Sequence, residues 1–361
     1  MRPLYLDHNA GAPLDPAARE AMLAHLDAAN PSSVHRFGRR ARQALEDARE
    51  TVAHLLQAHP DEVVFTSGAT EANNLAIRGL AGEPGVLLHS GIEHPSVLEP
   101  LEHLEKHGFL VVPLSPVADA PGSVRLVCVQ LANHETGAIL PVAGHAARWP
   151  VHCDATQAVG KMPVSFRDLG AVSLSFSAHK FGGPRGVGCL IVKRGVKLVP
   201  LTYGGHQQGG RRPGTEPVAL IAALAAALRA CVERMQEHRE KMIHLRRILW
   251  EGIQPAVLNS PEDGLPHVLN VSFPGLASDA LLIALDLAGV ACSAGAACSS
   301  GSLLPSPVLR FMGLPEERLR SALRLSLGWE QAPEEVADAA ARISSCVRRL
   351  RSLGDRPAAT D

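Results

Sequence analysis

Between Val63 and Val192 the sequence places short, almost unbroken apolar runs at intervals, each followed by a turn and a stretch with helical spacing. The runs are Val63–Thr66, Val86–His89, Phe109–Pro113, Val124–Leu131, Val151–Cys153, Val172–Phe176 and Val187–Val192. A strand with one wet face alternates apolar and polar residues, whereas a strand covered on both faces reads as continuously apolar. Continuous runs separated by helices therefore predict a parallel sheet with helices on both faces, an α/β architecture whose ligands bind at the carboxyl ends of the strands. The helices have recognisable signals. Asp15-Pro16 is an N-cap followed by a proline at the first helical position, leading a helix to Ala28. Arg36 to Gln57 carries Ala41, Ala44, Leu45, Ala48, Val52, Leu55 and Leu56 on one face.

From Pro217 to Trp250 the pattern predicts one long helix connecting to a second region. There Val268–Phe273, Ala277–Leu287, Val290–Cys292, Leu323–Leu327 and a final helix Pro333–Leu353 predict a compact α+β unit packed with the extreme N-terminus. The expected organisation is a large α/β domain over residues 13–250, a small domain from 1–12 and 251–354, and a disordered tail at 355–361.

A chain of 361 residues with net charge −1 has no bulk attraction for nucleic acid or an anionic membrane. No run reaches the ~18 apolar residues of a membrane span, and the N-terminus lacks the apolar segment of a signal peptide, so a cytoplasmic location is expected. The 7 cysteines, an odd number scattered along the chain, do not form a disulfide pattern.

Four stretches at the ends of apolar runs carry residues with chemical potential. Val172–Phe176 ends in Ser177-Ala-His179-Lys180 and a Gly-Gly-Pro stop. A lysine at the mouth of a buried strand is solvated at a surface, ion-paired, or used as a Schiff-base amine toward a carbonyl cofactor. Thr66-Ser-Gly-Ala69-Thr70-Glu71 joins a strand to a helix, either as a plain βα loop or as a helix N-terminus that binds phosphate. Asp154-Ala-Thr-Gln157 offers a carboxylate that caps a turn or faces a cationic ring nitrogen. His94 either caps the following helix or lies over a planar cofactor and relays protons. Gly182–Gly188 lacks the Gly-Lys-Ser/Thr ending of a nucleotide P-loop.

A fifth stretch, Ala291–Ser302, sets Cys298 among small residues, which suits an accessible nucleophile on a moving loop. A Cys292–Cys298 metal pair has no further ligand at suitable spacing. Cys128, Cys153 and Cys189 lie in apolar strands and read as structural.

Together these stretches describe a pyridoxal-phosphate enzyme whose chemistry ends on a cysteine. The chain resembles the cysteine desulfurases, class V members of the aminotransferase-like superfamily. The resemblance runs through Tyr5–Ala10, Asn30-Pro-Ser-Ser, His35–Gly38, Ser67–Glu71, Glu93-His94, Asp154–Gln157, Ser177–Lys180, Arg212–Thr215, the Cys298 loop, Pro305–Arg310 and Arg324–Gly328.

The resemblance implies an aspartate-aminotransferase-like fold, a homodimer, pyridoxal 5′-phosphate as cofactor and L-cysteine as substrate. It implies that Lys180 bonds the cofactor and then moves the substrate α-proton. Ala69, Thr70, Ser177 and His179 bind the phosphate, with Thr215 reaching in from the other subunit. Asp154 pairs with the ring nitrogen, Gln157 faces the ring hydroxyl and His94 stacks on the ring. Asn9, Asn30 and Arg324 contact the substrate, Arg324 holding its carboxylate. Cys298 takes the sulfur as a persulfide and delivers it to an acceptor, an iron–sulfur scaffold or a carrier for thio-cofactor or tRNA thiolation.

Two departures are visible. His134 stands where the family has a second asparagine near the cofactor hydroxyl, and a neutral imidazole can supply one donor in its place. Gly11-Ala12 replaces common threonines. Selenocysteine lysis, another class V reaction and a non-catalytic sulfur-carrier scaffold are the alternative functions.

Overall fold

The computed structural model describes residues 2–114, 122–294 and 305–354. The chain forms two compact units, a larger one of Gly11–Ala132 and Leu140–Met235 and a smaller one of Met1–Ala10, Asn133–Ile139 and Gln236–Asp361.

The larger unit is built on a sheet whose strands lie in the order Val63–Thr66, Gly188–Val192, Ser173–Ser177, Val151–Asp154, Val124–Gln130, Val86–His89, Leu110–Pro113. The strands from Ser173–Ser177 to Leu110–Pro113 pair in parallel, as their continuous apolar composition predicts. Gly188–Val192 runs antiparallel to both of its neighbours. The link 178–187 is shorter than the dozen or more residues of a parallel crossover, so the chain can only reverse. At Gly188 the reversed strand passes close to the Gly68 backbone. A Cβ there would lie 2.6 Å from the Cα of Gly68. Leu174, Phe176, Leu190 and Ile191 are fully buried in the middle of the sheet, each contributing about 1.5–3 kcal/mol of apolar burial.

Thr66 and Ser177 both stand opposite Gly188, Asp154 opposite Ser175, and Gln130 opposite Asp154. The carboxyl ends of these strands therefore share one edge of the sheet. The helix Ala69–Leu80 lies against the sheet through Ala72, Asn73, Leu75, Ala76 and Ile77.

The predicted continuous helix from Pro217 to Trp250 is instead two helices, Val218–Glu233 and Met235–Gly252. Arg234 leaves helical geometry at φ −105°, ψ 12°, and its guanidinium pairs with Asp15 at 3.1 Å. The helix led by Asp15 ends at Ala24, before the predicted Ala28.

In the smaller unit Val268–Ser272 pairs antiparallel with Ala322–Ser326 and Val257–Leu258. The N-terminal Leu4–Tyr5 pairs in parallel with Val290–Ala291, so the extreme N-terminus does pack there. Leu245, Leu249, Val271, Phe273, Leu285, Leu323 and Ile343 fill the core. The segment Asn133–Ile139 is a tight turn. The Asn133 side-chain oxygen accepts the N–H groups of Glu135 and Thr136, at 3.0 and 2.8 Å. The Gly137 carbonyl accepts from the Leu265 N–H at 2.8 Å, and the Asn270 amide donates to the Glu135 carbonyl at 3.3 Å.

Candidate active site

The carboxyl edge of the larger sheet gathers most of the residues singled out in the sequence. Gly68 precedes the first helical residue, Ala69, and the first intrahelical bond runs from Ala72 N–H to the Gly68 carbonyl. Backbone N–H groups ahead of that bond have no carbonyl within the helix, and the helix dipole adds positive potential there. Thr70 is exposed and Ala69 half-buried. Ser177 ends its strand, and its hydroxyl lies 2.8 Å from the His179 Nδ1. Burial and the cations Lys180, Arg185 and Lys161 hold the pKa of His179 down at about 4, so its ring is neutral at physiological pH. Lys180 closes a 3₁₀ turn, Ala178–Lys180, pinned by Ala12 N–H to the His179 carbonyl and by Gly183 N–H to the Ala178 carbonyl, both 2.9 Å. The Gly-Gly-Pro stop supplies that closure, Gly182 standing at φ +88°.

Asp154 is 6% exposed at the end of its strand. One carboxylate oxygen accepts the Thr156 N–H at 2.9 Å and the other accepts from the Asn73 amide at 3.0 Å. The turn-capping role is thus present, and it uses only one oxygen. Gln157, also buried, accepts from the Lys161 ammonium at 2.6 Å. His94 is the N-cap of Pro95–Glu105: its Nδ1 accepts the Ser96 N–H at 3.0 Å. Burial, reinforced by Lys180 and opposed by Asp154, lowers its pKa. An open cleft of ≈ 440 Å³ is lined by Thr70, Asn74, His94, Ser96 and Glu99, among others.

Thr215 is exposed, on a loop that Arg212 ties to Glu71 at 2.8 Å. Asn30 is exposed in its turn, where its side-chain oxygen accepts the Ser32 N–H at 2.9 Å.

The smaller unit holds Asn9, His134 and Arg324. Asn9 is 1% exposed. Its amide nitrogen donates to the His134 carbonyl at 3.1 Å, and its oxygen lies 2.9 Å from His267 Nε2. Arg324, 2% exposed, donates to Asp7 at 2.6 Å and to the His134 carbonyl at 3.2 Å, while its buried Nε–H has no hydrogen-bond partner among the described residues. The His134 ring lies 3.7 Å from the Glu135 carboxyl. Burial raises the Glu135 pKa, against a hydrogen bond from Ser306 and the charge of Arg324. Burial also pushes the Cys292 thiol up to about 12, so it is no thiolate near neutral pH. Cys298 lies outside the described residues, as does the expected tail 355–361. Among the described residues no group of His, Cys, Asp and Glu could hold a metal ion, and no helix is long and apolar enough to cross a membrane.

Sequence reasoning missed Asn73 and Asp7 and gave no role to Glu93. Asn73 stands on the apolar stripe shared with Ala76, Ile77 and Leu80, which marks it as buried but does not say what it bonds.

Comparison with known proteins gives the family. A model of the family described as aminotransferase class-V matches residues 4–338. A putative cysteine desulfurase IscS 1 of Bacillus subtilis is 38% identical, covering 97% of this chain and 100% of its own. The solved structure of a NifS-like protein superposes with a TM-score of 0.89 at 33% identity, covering 96% of this chain and 100% of that one. The structure titled SspA in complex with cysteine reaches 0.80 at 33% identity, covering 91% and 100%. With likeness of sequence and fold extending over nearly its whole length, the chain belongs to the class V aminotransferase family, in its cysteine desulfurase branch.

Proposed function

We propose that this chain is a pyridoxal-phosphate-dependent cysteine desulfurase, which moves the sulfur of L-cysteine to Cys298 and leaves L-alanine. The observation that carries the reading is the meeting of Lys180, Asp154 and the N-terminus of Ala69–Leu80 at one edge of one sheet. The residues fit the cofactor. The helix N-terminus and the cations around His179 suit a phosphate. Asp154 presents its carboxyl group at a strand end, and the buried Thr156 hydroxyl beside it has no partner among the described residues. When bound, pyridoxal phosphate supplies an electron sink for charge developing at the substrate α-carbon.

The chain's own residues do the rest. Ala69, Thr70, Ser177 and His179 bind the phosphate, with Thr215 of a second copy completing the cradle in a homodimer. Asp154 holds a proton at the ring nitrogen. Gln157 and His134 orient the ring hydroxyl, and His94 covers the ring face. The Lys180 amine holds the cofactor and moves the proton at the α-carbon. Arg324 binds the cysteine carboxylate, for which a planar fork of donors is suited, with Asn9 and Asn30 at the substrate's edge. Cys298 attacks the substrate sulfur as thiolate. A sulfur–sulfur bond forms, the carbon–sulfur bond breaks, and the carbon takes a proton to give alanine. The balance is one Cys298 thiol plus cysteine to one Cys298 persulfide plus alanine, with no external oxidant. The persulfide then passes to a sulfur-acceptor protein.

The test is purified protein supplied with pyridoxal phosphate, L-cysteine and a thiol reductant. Alanine and sulfide should appear in equal amounts. Lys180→Ala should abolish both, and Cys298→Ser should abolish persulfide labelling of the chain. Full desulfuration by Cys298→Ser would refute the persulfide route.

A further inference from the structure

Beneath the edge that carries Asp154 and His94 lies a buried polar network whose hub is Asn73, fully inaccessible to solvent. Its amide group makes four contacts. The nitrogen lies 3.0 Å from Asp154 Oδ2 and 2.9 Å from Ser96 Oγ. The oxygen lies 3.0 Å from His152 Nε2 and also meets the Ser175 hydroxyl. Four contacts are the whole capacity of a primary amide, two donors and two lone pairs.

The chemistry of these partners fixes every proton in the network. With Asp154 as a carboxylate, the form the cofactor reading requires, its oxygen only accepts, so the Asn73 nitrogen faces Asp154 and its oxygen faces His152. The His152 Nε2 therefore carries the ring proton, and its Nδ1 accepts from the Ser173 hydroxyl at 2.8 Å. Burial depresses the His152 pKa to about 4, in keeping with a neutral ring of this single tautomer. On the other arm, Ser96 accepts from Asn73 while its backbone N–H donates to His94 Nδ1 at 3.0 Å, its hydroxyl 2.8 Å from the same nitrogen. A nitrogen that accepts an N–H has no proton of its own, so neutral His94 carries its proton on Nε2.

We propose that Asn73 is a positioning residue of the cofactor site, holding Asp154 directly, and His94 through Ser96, in one orientation and one pattern of protons. The proposal rests on the reading that Asp154 and His94 face pyridoxal phosphate. A network with every member satisfied is rigid, because rotating any one group leaves another buried group without a partner. Asn73 reaches this position from the first turns of the helix whose N-terminus is assigned to the phosphate. The groups that would hold the phosphate, the ring nitrogen and the ring face are thereby joined to one another from behind.

The test has two parts. In the full-length wild-type chain without cofactor, ¹⁵N NMR of the histidine rings should show His152 and His94 each with a protonated Nε2 and a pyridine-like Nδ1. A proton on Nδ1 of either ring would overturn the assignment, and this measurement needs no substitution. In Asn73→Ala and Asn73→Asp, pyridoxal phosphate titrated into the full-length chain should bind at least about tenfold more weakly, and the absorption maximum of the bound cofactor should move. Variants that melt earlier but keep the wild-type dissociation constant and absorption maximum would show a merely structural Asn73 and refute the proposal. A wild-type chain that binds no pyridoxal phosphate would instead overturn the functional reading, and the role of Asn73 with it, while leaving the tautomer pattern intact.

Discussion

Glu93 provides the sharpest physical test of the larger unit. It precedes His94 and is 2% exposed. One carboxyl oxygen accepts from the Ser90 hydroxyl and the other has no partner among the described residues. Burial, with a further contribution from the charge of Asp154, pushes its pKa up to about 8, while hydrogen bonds from Ser90 and the Gln130 backbone pull the other way. In the unfolded chain the group titrates near its ordinary value of 4.5. Between those two values the native state therefore holds one proton that the unfolded state has released. Stability then falls as pH rises, by about 1.4 kcal/mol per pH unit for one group. From about pH 5 to about pH 8 the loss from Glu93 is on the order of 4 kcal/mol.

Glu93→Gln keeps the shape and the acceptor for Ser90 but cannot ionise. Urea unfolding of cofactor-free wild type and variant at about pH 5 and about pH 8 should show the variant gaining on the wild type by most of that amount as pH rises. Curves that stay parallel across this range would mean that Glu93 is ionised in the folded protein and that the burial argument is wrong.

Two further outcomes follow from single contacts. Gly188→Ala places a methyl 2.6 Å from the Gly68 backbone, and such overpacking costs about 1–3 kcal/mol. A thermal melt should register the loss, and an unchanged melting temperature would contradict the close approach of Gly188 to Gly68. Arg324→Lys keeps the charge but loses the planar fork, so KM for cysteine should rise at least about tenfold, from loss of about 1.4 kcal/mol or more, while cofactor loading stays at the wild-type level. An unchanged KM would remove Arg324 from the substrate site.

Much of the larger unit is legible because its strands are covered on both faces. Continuous apolar runs such as Val124–Gln130 announce themselves, and Gly or Pro marks their ends. The reversal of Gly188–Val192 is not in its composition, because an apolar strand reads the same in either direction. Only the length of the link before it decides. The break at Arg234 was equally hidden, since no proline or glycine stands there and the neighbouring residues are good helix formers. Of the residues at the sheet edge, Lys180, Asp154 and His94 were visible because each is a polar group placed just past an apolar run. Asn73 and Asp7 were not, because their significance lies in contacts made far away in the sequence, to Asp154 and Arg324 respectively.

The sequence by itself determined the class of fold and the family, since local apolar patterning and short motifs survive without knowledge of the partners. The tertiary structure alone decided what each polar group is bonded to. It showed that Asn133–Ile139, which lies in sequence among the strands of the larger sheet, packs with Leu265 and Asn270 in the smaller unit. It also showed that a single amide at Asn73 holds both Asp154 and Ser96. Hydrogen bonds across such separations depend on how the elements pack, and no local pattern encodes that.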